Sequence, residues 1–170
     1  MTLDELNTLS SERAIEVFRS CCGASRWVEA MDGRRPFGST DAVMSMADDI
    51  WLAMGPDDWR EAFAHHPRIG EKKTEKPQDS RAASWSASEQ SSVVDANASM
   101  QQELAAINRE YEKKFGYIYI VCASGRTADE LLAIARRRLH NAPDDELRIA
   151  AEEQRQITRL RLRKLLSLDS

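Results

Sequence analysis

Tyr117-Ile118-Tyr119-Ile120-Val121-Cys122-Ala123 is the only stretch of the 170-residue chain that reads as β. Its β-branched and aromatic residues suit an extended backbone, but a lone strand has nothing to pair with and makes no sheet. The stretch is therefore predicted to be a buried extended connector in an otherwise helical protein. Helical punctuation flanks it on both sides. Downstream, Thr127 and Glu130 have capping-box spacing for a helix to about His140; Asn141 and Pro143 break it, and Asp144 starts a final helix ending near Leu166. Upstream, Phe115-Gly116 closes a long helix predicted from about Ser88 to Lys114, with Val93, Asn97, Met100, Leu104, Ile107 and Tyr111 facing inward.

Further toward the amino terminus the same period returns. Ala14, Val17, Phe18 and Cys21 share a face, with Ser10 or Ser11 as cap and Gly23 as stop. After a loop through Arg34-Arg35-Pro36-Phe37-Gly38, Ser39 or Thr40 caps a helix whose expected buried stripe is Val43, Met46, Ala47, Ile50 and Met54, stopped by Gly55-Pro56. A short helix then places Trp59, Ala62, Phe63 and His66 on one face and ends at Pro67. From Gly70 to Ala83 the composition is polar and aperiodic, which predicts a mobile loop able to act as a lid. The expected fold class is all-α, a single-domain helical bundle over residues 1–170 with about seven to nine helices and one extended connector.

Composition narrows the function. With 24 basic and 28 acidic residues interspersed, net charge −4, 42% hydrophobic and 31% charged, the chain has no electrostatic footprint for nucleic acid. No apolar run approaches membrane length, so a membrane partner is not expected either. Cys21, Cys22 and Cys122 are an odd set without C-x-x-C spacing, a poor disulfide framework that fits a reducing compartment. The first residues lack the basic and apolar regions of a signal peptide, and the last five are not a peroxisomal address; cytoplasmic residence is the expectation.

Four segments place polar side chains beside helix ends. In Ala64-His65-His66-Pro67-Arg68-Ile69-Gly70-Glu71-Lys72, a histidine at a helix terminus can move protons near neutral pH, or simply be a half-buried packing residue. Neighbouring His65 is expected to point to solvent. Metal binding by His65, His66 and Glu71 is disfavoured, because adjacent histidines on a helix diverge by about 100 degrees. In Trp85-Ser86-Ala87-Ser88-Glu89-Gln90, Ser86 and Glu89 fit a capping box for the long helix; equally, Glu89 and Gln90 can hydrogen-bond an N–H-rich ligand. In Tyr117 to Arg126, free backbone amides and a guanidinium suit a carboxylate, while Arg126 as a surface residue in a glycine turn is the plainer alternative. Cys21-Cys22-Gly23-Ala24-Ser25-Arg26-Trp27 reads as buried thiols beside a helix stop, with no nearby histidine to activate them.

The order of these motifs resembles the OHCU decarboxylase family, which converts 2-oxo-4-hydroxy-4-carboxy-5-ureidoimidazoline (OHCU) to (S)-allantoin after urate oxidase and hydroxyisourate hydrolase have acted. F-x-x-C-C-G-A-S-x-W (Phe18 to Trp27) precedes HHPRIGEK (His65 to Lys72), W-S-x-x-E-Q (Trp85 to Gln90), N-x-x-Y-x-x-x-F-G (Asn108 to Gly116) and Gly125-Arg126. The resemblance covers about residues 3 to 165. It implies an all-helical homodimer acting on a small molecule with no metal or organic cofactor. It also implies site residues: His66 and Glu89 as catalytic groups, and Pro67, Ser86, Gln90, Arg126 and the backbone of Ile118, Tyr119, Ile120 and Val121 as substrate-binding groups. The reading from another class is a non-catalytic helical interaction module, in which the Met-rich face from Val43 to Met54 docks a partner.

Overall fold

Hydroxyl side chains set the helix starts. Ser10 Oγ accepts the amide of Arg13 at the head of α2 (Ser11–Cys21), and Ser39 Oγ accepts that of Ala42 at 3.0 Å at the head of α4 (Thr40–Leu52). Thr127 and Glu130 form the reciprocal box that opens α9 (Ala128–Arg138), as their spacing predicts. A second such box, Thr2 with Glu5, opens α1 (Leu3–Thr8), a helix the apolar period did not announce. The remaining helices are α3 (Ser25–Asp32), α5 (Pro56–Ala64), α6 (Ser80–Glu89), α7 (Ser91–Val94), α8 (Ala98–Phe115) and α10 (Pro143–Leu165). This computed structural model describes residues 1–69, 80–94, 96 and 98–168; among them there are ten α-helices and no strand, so the fold is all-α.

The chain groups into two compact units: Met1–Ala62 with Arg155–Ser170, and Phe63–Gln154. In the first, Phe18, Trp27, Val28, Met31 and Val43 are wholly buried, and Trp27 donates its indole N–H to Ala47 O at 3.0 Å. The Arg34–Gly38 loop is clasped by Arg35, which donates to the carbonyls of Leu6 (3.0 Å) and Leu9 (2.8 Å) while paired with Asp32 at 2.6 Å. These bonds satisfy orphan carbonyls at the end of α1. The expected stripe on α4 is rotated. Val43, Met44, Ala47 and Trp51 are its buried residues, whereas Met46 and Ile50 are half-exposed and line a groove of about 700 Å³ with Arg26, Glu29 and Arg34. Trp51, larger than either, takes the inward position beside Trp59, with ring centroids 6.4 Å apart.

The second unit is built around the extended connector. Tyr117, Tyr119, Ile120, Val121 and Ala123 are buried without any ladder hydrogen bonding, as read from the sequence. Aromatic contacts pin it: Phe63 against Tyr117 at 5.2 Å, and Tyr111 of α8 against Tyr119 at 5.4 Å. Gly116, at φ +80, supplies the left-handed turn that ends α8, with its N–H on Glu112 O at 2.9 Å. Two expectations about the preceding region are corrected. The single helix from Ser88 to Lys114 is three helices, α6, α7 and α8; the side-chain amide of Gln101 donates to Val93 O at 3.3 Å and Ala96 O at 3.1 Å, satisfying carbonyls where α7 stops. The aperiodic stretch from Gly70 to Ala83 is already helical by Ser80, because α6 buries only Ala83, Ser86 and Glu89, a stripe too small and too polar to show as an apolar period. Residues 70–79, where the lid was placed, lie outside the described residues, as do Glu71 and the inward position assigned to Asn97.

Candidate active site

His66 follows the last turn of α5, its amide bonded to Phe63 O at 3.1 Å, and its ring is half-buried. Helical geometry is unfavourable before Pro67, so the chain leaves the helix there. His65 is exposed, as expected. The ring of His66 meets a partner 88 residues away: Nε2 lies 2.7 Å from Oε1 of Gln154, within hydrogen-bond distance. Gln154 is wholly buried on α10. Two residues beyond His66, Arg68 makes a bidentate pair with Glu112, both bonds at 2.9 Å. This pair holds the Glu112 carboxyl below its ordinary range, chiefly through the hydrogen bonds.

Glu153, adjacent to Gln154, serves the connector. Its Oε2 accepts the Cys122 amide at 2.7 Å, and Arg126 approaches both its oxygens at 3.4 Å. The carbonyl of Ile120 accepts from Arg138 at 2.8 Å, and Ser92 holds the carbonyl of Arg126 at 2.7 Å. Gly125, at φ +75, makes the turn that brings Arg126 back, a conformation costing about 1–2 kcal/mol for a residue with a Cβ. The Cys122 thiol is pushed up, first by burial and then by the carboxylates of Glu153 and Glu89, against the pull of the Ser124 backbone and Arg126.

The capping reading of Ser86 and Glu89 is overturned. Both are deep in α6 or at its end, buried on one face, and Ser86 O accepts the amide of Gln90 at 3.1 Å as an ordinary helical carbonyl. Gln90 is half-buried in the turn after α6, and Pro67 and Ile118 are half-buried. Tyr119 turns its side chain into the core, where its hydroxyl donates to Leu131 O at 3.1 Å, leaving backbone as what this position can offer a ligand. All ten predicted site residues fall in the Phe63–Gln154 unit, and hydrogen bonds tie the His66 end to Gln154 and the connector end to Glu153. The groove beside α3 and α4 contains none of them.

Sequence reasoning missed Glu153, Gln154 and the group behind the connector. Arg138 and Glu146, 3% and 0% exposed, are paired at 2.6 Å, with Tyr111 and Asn141 also bonded to Glu146. Burial first, and Glu146 next among the raising influences, push the Tyr111 hydroxyl far above its usual range, so it stays a donor. The available signal was a glutamine at an inward position of α10, among Leu147, Ala150 and Ala151. Among the described residues no three His, Cys, Asp or Glu side chains gather as metal ligands. The cysteines read as buried thiols are so: Cys21 and Cys22 are buried, and burial pushes Cys22 up to about 11.

Comparison with known proteins adds the decisive observation: the family model for OHCU decarboxylase matches residues 7–163. The chain belongs to the OHCU decarboxylase family. Among relatives, it is 43% identical over 162 residues to the uric acid degradation bifunctional protein TTL of Arabidopsis thaliana, covering 94% of this chain and 49% of that protein. The chain thus spans about half the length of that bifunctional relative. It is 26% identical over 168 residues to the 2-oxo-4-hydroxy-4-carboxy-5-ureidoimidazoline decarboxylase of Haloferax volcanii, covering 98% of this chain and 97% of the relative. A crystal structure of OHCU decarboxylase in the presence of (S)-allantoin aligns with a TM-score of 0.77 and 40% identity, covering 89% of this chain and 98% of that one. An (S)-allantoin synthase structure, at TM-score 0.70 and 15% identity, covering 96% of this chain and 53% of that one, shares the fold. No helix among the described residues is long and apolar enough to cross a membrane.

Proposed function

We propose that this chain decarboxylates OHCU to (S)-allantoin in urate degradation, without a cofactor, with His66 as the proton-handling group. The observation that carries the reading is the tethering of a half-buried histidine and of a connector bearing Arg126 to adjacent residues of α10, in a chain belonging to this family.

The chemistry asks little of a protein beyond placement. OHCU carries its carboxylate on a hydroxyl-bearing carbon next to a C=N bond, and that bond receives the electron pair when the C–C bond to the carboxylate breaks. Carbon dioxide leaves, the nitrogen that received the pair takes up a proton from solvent, and an enol remains. The hydroxyl then becomes the carbonyl of allantoin as its proton departs and another reaches one face of the neighbouring carbon. Neutral His66 takes or shares the hydroxyl proton, a role worth about 100- to 10,000-fold. Glu89 accepts and Gln90 donates and accepts hydrogen bonds at the ureido and ring nitrogens, with Ser86 and Pro67 beside them. Arg126 and the backbone of Ile118 to Val121 hold carboxylate and carbonyl oxygens. The long 3.4 Å contacts of Arg126 to Glu153 suit a guanidinium that shares itself with a second carboxylate. Homodimerisation and cytoplasmic residence belong to the same proposal and rest on the family resemblance and the composition.

The test uses freshly generated OHCU, followed by ultraviolet absorbance and circular dichroism. Wild-type chain is expected to give (S)-allantoin, and His66→Ala the racemate of uncatalysed decay. An unchanged yield of the (S) product from the variant removes His66 from the mechanism.

A further inference from the structure

We infer that Gln154 is a positioning residue for His66: by accepting the Nε2–H at its carboxamide oxygen it holds the neutral ring in one tautomer, with Nδ1 as the nitrogen that exchanges the proton. The inference rests on the proposed role of His66 for its functional half and on geometry alone for its structural half.

The contact is 2.7 Å, well within the range of a good N–H···O bond, and joins residues 88 apart in sequence. Gln154 is 0% exposed, so its carboxamide is held away from bulk water. Its turn of helix is also anchored on a second side, because Glu153 holds the Cys122 amide at 2.7 Å and meets Arg126. A glutamine in that position is thus a fixed acceptor, not a mobile surface amide. Imidazole has two distinct nitrogens, and an acceptor on one dictates which carries the proton. Glutamine does this without charge, whereas a carboxylate would favour the protonated ring and withdraw the neutral base that the proposed reaction uses. A leucine of similar size would fill the space and orient nothing.

The wild-type chain labelled with ¹⁵N-histidine reports the tautomer directly by long-range ¹H–¹⁵N correlation. Only three histidines are present, and His65→Gln and His140→Gln variants assign the His66 signals by subtraction. The expected result is an Nε2–H ring in wild type and a loss of that fixed pattern in Gln154→Leu. With OHCU, Gln154→Leu is expected to lower kcat about 10- to 100-fold, as for other partners behind a working histidine, while KM stays within about twofold. Gln154→Met serves the same comparison if the leucine variant does not fold. An Nδ1–H ring in wild type overturns the inference without any variant. So does a folded Gln154→Leu chain with unaltered His66 signals and kcat. An Nε2–H ring in a chain that does not turn over OHCU sinks the proposed function instead and leaves the orientation by Gln154 standing.

Discussion

Replacing Arg138 by methionine should destabilise the chain by about 4 kcal/mol, and the size follows from what the guanidinium holds. Arg138 and Glu146 are 3% and 0% exposed; Nε sits 2.7 Å and Nη2 2.6 Å from the same carboxylate oxygen. Nη1 donates to the Ile120 carbonyl at 2.8 Å, and Tyr111 and Asn141 donate to Glu146 as well. Removing one member of a buried pair leaves the other charge uncompensated, typically about 3–5 kcal/mol. An orphaned Ile120 carbonyl adds to this within the same range, since the losses share one network and do not sum. Against a total stability of about 5–15 kcal/mol that loss is large. With a urea slope of about 2 kcal/mol/M, the midpoint at pH 7, read by far-ultraviolet circular dichroism, should fall by about 2 M. Glu146→Leu should do similar damage. The double variant Arg138→Met, Glu146→Leu should recover much of the loss, because no unpaired charge remains. A loss under about 1 kcal/mol in Arg138→Met, or strictly additive losses in the double variant, would refute the reasoning.

Glu89→Gln should keep its stability within about 1 kcal/mol, since Glu89 is the last residue of α6 and does not stand at a helix start, yet lose at least about 100-fold in kcat/KM for OHCU; normal kinetics would remove it from the site. Thiol reagents at pH 7.5 should leave Cys22 unmodified until the chain unfolds, with burial holding its pKa at about 11, and should reach half-exposed Cys122 only slowly; mass spectrometry of alkylated peptides reads both. Acid should weaken the fold through Asp32 and Glu112. Burial raises Asp32, but hydrogen bonds from Ser11 and Arg35 outweigh it, and Arg68 lowers Glu112. Depressed folded-state values mean their contribution is complete above the unfolded pKa and disappears as pH falls through the folded one, so urea midpoints should drop below about pH 4, less steeply in Asp32→Asn.

What could be read from the residues was what local chemistry writes. The Thr127–Glu130 box, the Ser39 cap, Gly116 at the end of α8 and the unpaired connector all depend on neighbours within a few positions, and all are where their pattern puts them. The misses have a common cause in distance or size. α3 begins at Ser25 behind Ala24, an N-cap residue with no capping side chain, so nothing marks its beginning. α6 buries alanine, serine and glutamate, which no hydrophobic period reveals. Met46 and Ile50 looked like core because they share an apolar arc with Ala47, and only Trp51 and Met44 facing inward turned that arc outward. His66 and Glu89 could be singled out as candidate site residues from their motifs, whereas Gln154 became visible only through a contact spanning 88 positions.

The adjacency of Glu153 and Gln154 ties the two halves of the candidate site to one mechanical coordinate. Neighbouring side chains on a helix leave the axis about 100 degrees apart, so a single turn of α10 can hold the imidazole with one and the connector with the other. Inserting or deleting one residue between Pro143 and Gln154 would swing both pegs off their targets in the same motion, while substitutions on that segment's outer face would disturb neither. The phase of this one helix is what such an enzyme cannot let drift.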